Sequence, residues 1–211
     1  MFIFSNLATS LDGKIATADR GMFHLGSAAD KRRMQTLRRR ADAVLVGAST
    51  LRCYRRPMGV PGARRQPLNV ILSSTLAGIS PDWPFFQAPG ISRVLIVGPR
   101  TPAATIRRFA SVAEIVQLRA GGNVARQAVR ALAKRKVRRL LVEGGGSTIW
   151  EFVSAGLIDE FHVTLTPWIL GGAAAPTLVD GAGFPGRRAL RLRRVASRAV
   201  EDELFLTFRR V

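Results

Sequence analysis

The chain has 211 residues, a formal net charge of +19, 47% apolar side chains and a mean hydropathy of +0.11. A chain this apolar buries a core in spite of its charge, which excludes disorder, and its length suits a single large domain, residues 1–211. The one cysteine, Cys53, excludes an intrachain disulfide and a Cys-rich zinc site. No run reaches the roughly 18 apolar residues of a membrane span, and Met1 to Ser10 lacks the basic start and long apolar stretch of a signal peptide. The expectation is a cytoplasmic protein.

Of the 33 basic residues only Lys14, Lys31, Lys134 and Lys136 are lysines. Abundant Arg, Ala and Gly with scarce Asn is what GC-rich coding produces. Clusters at Arg38–Arg40, Arg55–Arg56, Arg64–Arg65, Lys134–Arg139 and Arg187–Arg194 are dispersed, and none makes a long basic tail. Attraction of anionic small molecules, or plain solvation, accounts for them better than nucleic-acid binding does.

In chain order, Phe2 to Ala8 reads as a strand and Asp12-Gly13 as a turn. Ser27 to Arg40 reads as a helix, N-capped by Ser27, with Asp30 in its first turn and cations at its end. Ala43 to Gly47 is a short buried strand. Residues 48–67 read as a loop, with room for one helical turn, rich in Arg, Pro and Gly. Leu68 to Ser73 and Arg93 to Val97 are buried strands, Thr105 to Ala110 a short helix, and Ala113 to Leu118 a strand. Asn123 caps a helix running to Lys134. Arg139 to Val142 is a strand ending at Glu143, and Trp150 to Ala155 is helical. Phe161 to Thr166, Ala189 to Val200 and Glu203 to Phe208 are strand-like, the last two pairing about Glu201-Asp202.

This alternation predicts an α/β fold, a mostly parallel sheet with helices on both faces and an antiparallel C-terminal edge.

The strongest local signal is Glu143-Gly144-Gly145-Gly146-Ser147-Thr148 between the strand and the following helix, with Thr148 and Glu151 at capping-box spacing. Glycines allow close backbone approach, and amides at a helix start favour phosphate. In open α/β sheets ligands bind at the carboxyl ends of strands. The same glycines also suit a tight strand-to-helix turn. The run is neither G-x-G-x-x-G nor a Walker A loop. A buried unpaired carboxylate is costly, so Glu143 requires a partner: a substrate donor, Lys14 or a backbone N–H. His24 and His162 are isolated, His162 within a strand, and no Ser-His-Asp order or metal-ligand spacing stands out.

Together, Asn6 to Ile15 (NLATSLDGKI), Leu37-Arg38, Ala43 to Gly47 with Thr50, Glu143 to Gly146, Gly156 to Glu160, Pro167 to Gly172 and Ala175 to Gly181 occur in one order. This order resembles the reductase domain of riboflavin biosynthesis, related in fold to dihydrofolate reductase. The resemblance implies NADPH as cofactor, with Gly144, Gly145, Gly146 and Ser147 at its diphosphate, Thr50 in contact with it, and Ser73 and Ser74 near the adenosine 2′-phosphate. It implies that Lys14 and Glu143 face the pyrimidine or the reacting ribosyl group, and that Arg38 contacts the substrate phosphate.

The implied reaction reduces the ribosylamino side chain of 5-amino-6-(5-phosphoribosylamino)uracil to ribitylamino, in a homodimer. The family's Asp-Asp-Pro or Asp-Asn-Pro after the threonine is absent here: Thr50 leads through Leu-Arg-Cys-Tyr-Arg-Arg to Pro57. A serine two residues before His24 in many members is Met22, which removes a phosphate partner. The alternatives are another pyrimidine or dihydropterin reductase of the same fold and, in a different class, a basic nucleic-acid-binding protein on this scaffold.

Overall fold

The computed structural model describes residues 1–21, 23–186 and 188–211; Met22, whose departure from the resembled family was noted above, and Arg187 lie outside the described residues. The elements in chain order are β1 (Phe2–Thr9), α1 (Ala28–Arg39), β2 (Ala43–Gly47), α2 (Ala48–Tyr54), β3 (Leu68–Ser73), α3 (Pro84–Gln87), β4 (Arg93–Val97), α4 (Ala103–Phe109), β5 (Glu114–Gln117), α5 (Val124–Ala133), β6 (Arg139–Val142), α6 (Gly146–Ser154), β7 (Glu160–Leu165), β8 (Leu192–Val200) and β9 (Glu203–Arg210).

The described strands form one sheet in the order β5-β4-β3-β2-β6-β1-β7-β9-β8. Pairing is parallel from β5 through β7 and antiparallel for β7–β9 and β9–β8. The expected mixed sheet with an antiparallel edge is therefore present. Parallel strands must be covered on both faces, and the central strands read accordingly as unbroken apolar runs such as Ala43-Val-Leu-Val46. One face packs Leu37, Leu51, Phe85, Phe86 and Phe109 of α1 to α4 on Phe4, Val44, Val46 and Leu141. The other packs Ala125, Ala128 and Leu132 of α5 and Ile149 and Phe152 of α6 on Ile3, Leu45 and Leu140.

Helix starts follow side-chain chemistry where a cap exists. Ser27 Oγ accepts from Ala29 N and Asp30 N, and Asn123 Oδ1 accepts from Arg126 N. Two expectations are corrected. The stretch read as loop after Gly47 begins with the two-turn helix α2, and the last helix starts at Gly146, four residues before Trp150. Thr148 thus lies within the first turn of α6 and makes no capping box; Gly145 is the N-cap and carries no side-chain cap bond.

Helix α1 is tied to the antiparallel edge through buried polar groups. Arg33 donates to Val163 O at 3.0 Å, Thr164 Oγ1 at 3.0 Å and Leu206 O at 2.7 Å. Glu203 accepts from Ser27 N at 2.6 Å and Ser27 Oγ at 2.7 Å. Asp30 accepts from Thr164 Oγ1 at 2.7 Å, and burial raises its carboxyl pKa. His162 of β7 lies beneath the helix, with Nε2 2.9 Å from Glu160 Oε1. Burial, then the Arg33 guanidinium, push its pKa from 6.5 down to about 4.

Strand β8 stands apart: every residue from Arg193 to Ala199 is exposed, and the pairing with β9 shifts register between Arg194 and Ala196. In and just after β7, Phe161, His162, Thr164 and Thr166 are buried. What remains outside is a patch of Leu11, Trp168 and Ile169, exposed by 64%, 47% and 74%, with Leu11 N bonded to Trp168 O.

Because His162 titrates lower in the fold than in the open chain, the unfolded state takes up more protons between these two pKa values. Stability conferred by neutral His162 is therefore intact above pH 6.5 and falls as pH drops toward 4. Asp30, with its raised pKa, acts in the opposite sense, so the readout is a difference. Between pH 7 and pH 5 the wild type should lose about 1–2 kcal/mol more than His162→Gln in urea titrations.

Candidate active site

The carboxyl ends of β1, β2, β6 and β7 point the same way, and the loops leaving them meet there. After β1 the chain turns at Ser10–Gly13 and returns as Lys14-Ile15, pairing with the segment after β7: Lys14 forms an isolated antiparallel bridge with Thr177, and Ile15 N donates to Pro176 O at 2.9 Å. Lys14 Nζ rests 3.4 Å from Ala175 O. Asp12 clasps the neighbouring loop, accepting from Leu170 N at 3.1 Å and Gly171 N at 2.7 Å. Bonds from Ser10 Oγ first, then from these amides, hold the Asp12 carboxyl at a pKa of about 2.

Glu143 is half-buried one residue beyond β6, its N–H donating to Leu45 O at 2.9 Å. Its carboxylate meets Arg38 of α1 in a two-pronged pair: Nε to Oε1 at 2.8 Å and an Nη to Oε2 at 2.6 Å. The side chains are 14% and 7% exposed. Such fork-to-fork pairing is the strong form of the ion pair. The sequence demanded a partner for Glu143, and Arg38 fills that role, while Lys14, one of the partners expected, rests on Ala175 O instead. Spacing on α1 marks Arg38 as a C-terminal cation; only the tertiary fold shows that it reaches across to β6.

The glycine run divides into two roles. Gly144 has φ +100°, is followed by a cis peptide bond to Gly145, and lies against Leu7; its carbonyl accepts from Gly47 N at 2.8 Å. A side chain at Gly146 would collide with the Asp180 carboxylate and Thr177 O, and one at Gly47 with Thr148 Oγ1. These three positions need glycine for packing. Gly145 differs: a Cβ there would meet only Thr50 Oγ1 at 3.7 Å and Ile15 Cδ1 at 3.9 Å. Gly145, Thr50 and exposed Ser147 therefore edge open space at the start of α6.

Ser73 and Ser74 also differ. Ser73 is buried and its Oγ accepts from Leu76 N at 3.0 Å, which fixes the turn after β3. Ser74 is exposed, its carbonyl taken by Thr101 Oγ1 at 3.0 Å. Of the cations that replace the family's acidic pair, Arg55 lies over the Trp83 ring at 4.7 Å, and Arg56 is exposed.

Sequence reading missed two residues that organise this region. Asp12 was read as a turn residue, and its clasp on the Leu170–Gly171 backbone is visible only in the fold. Asp180 accepts from Thr177 N at 3.0 Å and Thr177 Oγ1 at 2.6 Å and abuts Gly146; its only trace in the sequence is the Ala175 to Gly181 motif.

A lysine, a paired carboxylate and uncapped helix amides gathered at the carboxyl ends of parallel strands make the arrangement in which α/β enzymes hold their ligands. The chain belongs to the RibD C-terminal domain family, which matches residues 1–206. It is 30% identical to the 2,5-diamino-6-ribosylamino-4(3H)-pyrimidinone 5′-phosphate reductase of Methanothermobacter thermautotrophicus, over 98% of this chain and 97% of that one. A pyrimidine reductase-like protein from Corynebacterium diphtheriae superposes with a TM-score of 0.83 at 22% identity, covering 100% of this chain and 92% of the other. Dihydrofolate reductase from Enterococcus faecalis shares the fold at a TM-score of 0.51 and 14% identity, covering 99% and 96%. The protein is an oxidoreductase of the riboflavin-biosynthesis reductase type on a dihydrofolate-reductase-like fold.

Removing one member of a buried ion pair strands the other charge. Arg38→Met should cost about 3 kcal/mol of folding stability, and adding Glu143→Met should recover most of it. Urea titrations of both single variants and the double variant check this.

Proposed function

We propose that this chain reduces the ribosylamino side chain of a phosphorylated aminopyrimidine to ribitylamino, with NADPH as the reductant. The observation that carries this reading is the Arg38–Glu143 pair set beside the glycine loop at the sheet's carboxyl end, with Lys14 across from it on the Thr177 segment. Relatives named as reductases of such a pyrimidine, matching over nearly the full chain, support it.

The residues fit a dinucleotide. The start of α6 lacks a side-chain cap, leaving its first-turn amides for a phosphate, and the open space at Gly145 beside the Thr50 hydroxyl admits one. Gly144 and Gly146 shape that loop from within, and Ser147 flanks it. Ser74, exposed at the turn that Ser73 fixes, is the hydroxyl assigned here to a 2′-phosphate. Bound NADPH would supply a hydride to C1′ of the opened sugar imine. The chain's own part is to bind and orient. Lys14 holds ring oxygens of the pyrimidine, and Glu143 accepts from its amines through the lone pairs that Arg38 leaves free. Arg38, committed to Glu143, offers its remaining N–H groups to the substrate phosphate. With no carboxylate in the loop from Thr50 to Pro57, the proton for the imine nitrogen comes from water, directly or by way of Glu143.

We further propose a cytoplasmic homodimer. The patch of Leu11, Trp168 and Ile169 is the kind of apolar surface that pairing covers. Light scattering at micromolar concentration should give twice the chain mass, and a monomer would count against the dimer.

Gly145→Asp places a carboxylate at the open edge and should weaken NADPH binding at least about tenfold, read by quenching of tryptophan fluorescence. Unchanged affinity would remove the diphosphate assignment. NADPH oxidation against a panel of ribosylaminopyrimidines and dihydrofolate tests the substrate class.

A further inference from the structure

The end of the sheet opposite the candidate active site collects cations from clusters that lie far apart in the sequence. In a parallel sheet the chain enters every strand at the same end. Arg40 closes α1 just before β2, Arg64 and Arg65 precede β3, and Lys134, Lys136 and Arg138 lead from α5 into β6. All six are exposed. Backbone bonds tie these approaches together: Asp42 N donates to Arg139 O at 2.9 Å, Leu68 N to Asp42 O at 2.9 Å and Phe2 N to Arg138 O at 2.8 Å. Clusters that read as dispersed in the sequence are thus one surface in the fold.

The carboxylates at this end are already committed. Asp42 accepts from Arg138 N at 2.9 Å and Arg139 N at 3.0 Å, Asp159 from Ile3 N at 2.8 Å and Glu160 from Arg209 at 2.8 Å, while Glu114 pairs with Arg135. Among the described residues, the six cations meet a carboxylate only where Arg65, its side chain 85% exposed, stands 3.9 Å from Asp42. Stabilisation of helix ends accounts for Arg40 and Lys134 after α1 and α5, and not for Arg64, Arg65, Lys136 or Arg138.

The shape of this surface and what it lacks select its partner. The starts of β3, β2, β6 and β1 are neighbours, so the row runs roughly 15 Å, three interstrand steps. That spans on the order of four phosphates along one strand of a duplex. Guanidinium forks suit phosphate oxygens. The aromatic ring in this row, Phe2, lies under the Arg139 guanidinium at 5.3 Å and offers unpaired bases no open platform. The apolar patch that a bilayer would take up, Leu11, Trp168 and Ile169, lies at the other end of the sheet. We propose that this pole is a second binding surface, which holds the phosphate backbone of a nucleic-acid duplex. It does not rest on the reductase reading: β6 alone sets roughly 15 Å between Arg138 and Glu143, so the two ends bind independently.

The test is fluorescence anisotropy of a labelled DNA duplex of about 20 base pairs, titrated with the protein between about 50 and 200 mM salt. The wild type should bind with a log–log salt slope of about −4. The triple variant Arg64→Gln, Lys136→Gln, Arg138→Gln should bind at least about tenfold more weakly, with a slope shallower by about 2 or more. It should melt and bind NADPH as the wild type does. A second triple, Arg32→Gln, Arg119→Gln, Arg198→Gln, removes the same charge from exposed positions elsewhere and should stay within about threefold of the wild type. Arg138→Gln alone, with a slope shallower by about 1, decides the matter if the first triple does not fold.

Equal weakening in the two triples would reduce the effect to net charge and overturn the proposal. So would tighter binding of the single strand than of the duplex, or tighter binding of vesicles of phosphatidylserine and phosphatidylcholine at the same salt. A protein that turns over its substrate but ignores the duplex at low salt overturns this proposal alone; one that binds the duplex as expected but oxidises no NADPH supports it and overturns only the reductase reading.

Discussion

A carboxylate at the end of a buried parallel strand cannot stand alone, and in this molecule its counter-charge comes from a helix on the opposite side of a crossover. Arg38 meets Glu143 with two bonds of 2.8 and 2.6 Å. To reach it, α1 must lie across β6 and β1, which fixes where β2 enters the sheet and how the loops after β1, β2 and β6 converge. The same helix extends the principle sideways, with Arg33 satisfying carbonyls and hydroxyls of β7 and β9. Two arginines of one helix, Arg33 and Arg38, thus lock the parallel half of the sheet to its antiparallel edge. The cost is a helix with few apolar contacts of its own: only Ala29 and Leu37 are buried.

The division of labour among the glycines follows from the same crowding. Gly47, Gly144 and Gly146 let β2, the loop and the Thr177–Asp180 turn approach one another, while Gly145 alone faces outward. A run of three glycines is thus mostly a packing device with one position left for a ligand. The Asp12 clasp does similar work at the other rim, holding the Leu170–Gly171 backbone through a carboxylate that stays ionised well into acid.

Much of this was legible in the sequence. Apolar runs separated by helical periods gave the parallel strands, Ser27 and Asn123 marked two helix starts, and the ordered motifs pointed to the family. The start of α6 was misjudged because Thr148 and Glu151 mimic a cap, whereas the true N-cap is a glycine with no side chain to betray it. Helix α2 was read as loop because its seven residues, Ala-Ser-Thr-Leu-Arg-Cys-Tyr, carry little periodicity and gain their order by packing Leu51. The partner of Glu143 could not be read at all, since 105 residues separate it from Arg38 and only the crossover brings them together.

The outer strand β8 carries a consequence for how the molecule behaves in a crowded solution. Its free edge is nine residues long, enough to template another strand, yet it presents Arg193, Arg194 and Arg198 and breaks register at Val195. Two copies meeting antiparallel about Ala196 would set Arg194 opposite Arg198 twice over, a juxtaposition that like charges disfavour. Arginines so placed disfavour growth of the sheet by addition at this end, so at β8 the surplus of that residue has a physical effect whatever its origin in the genome.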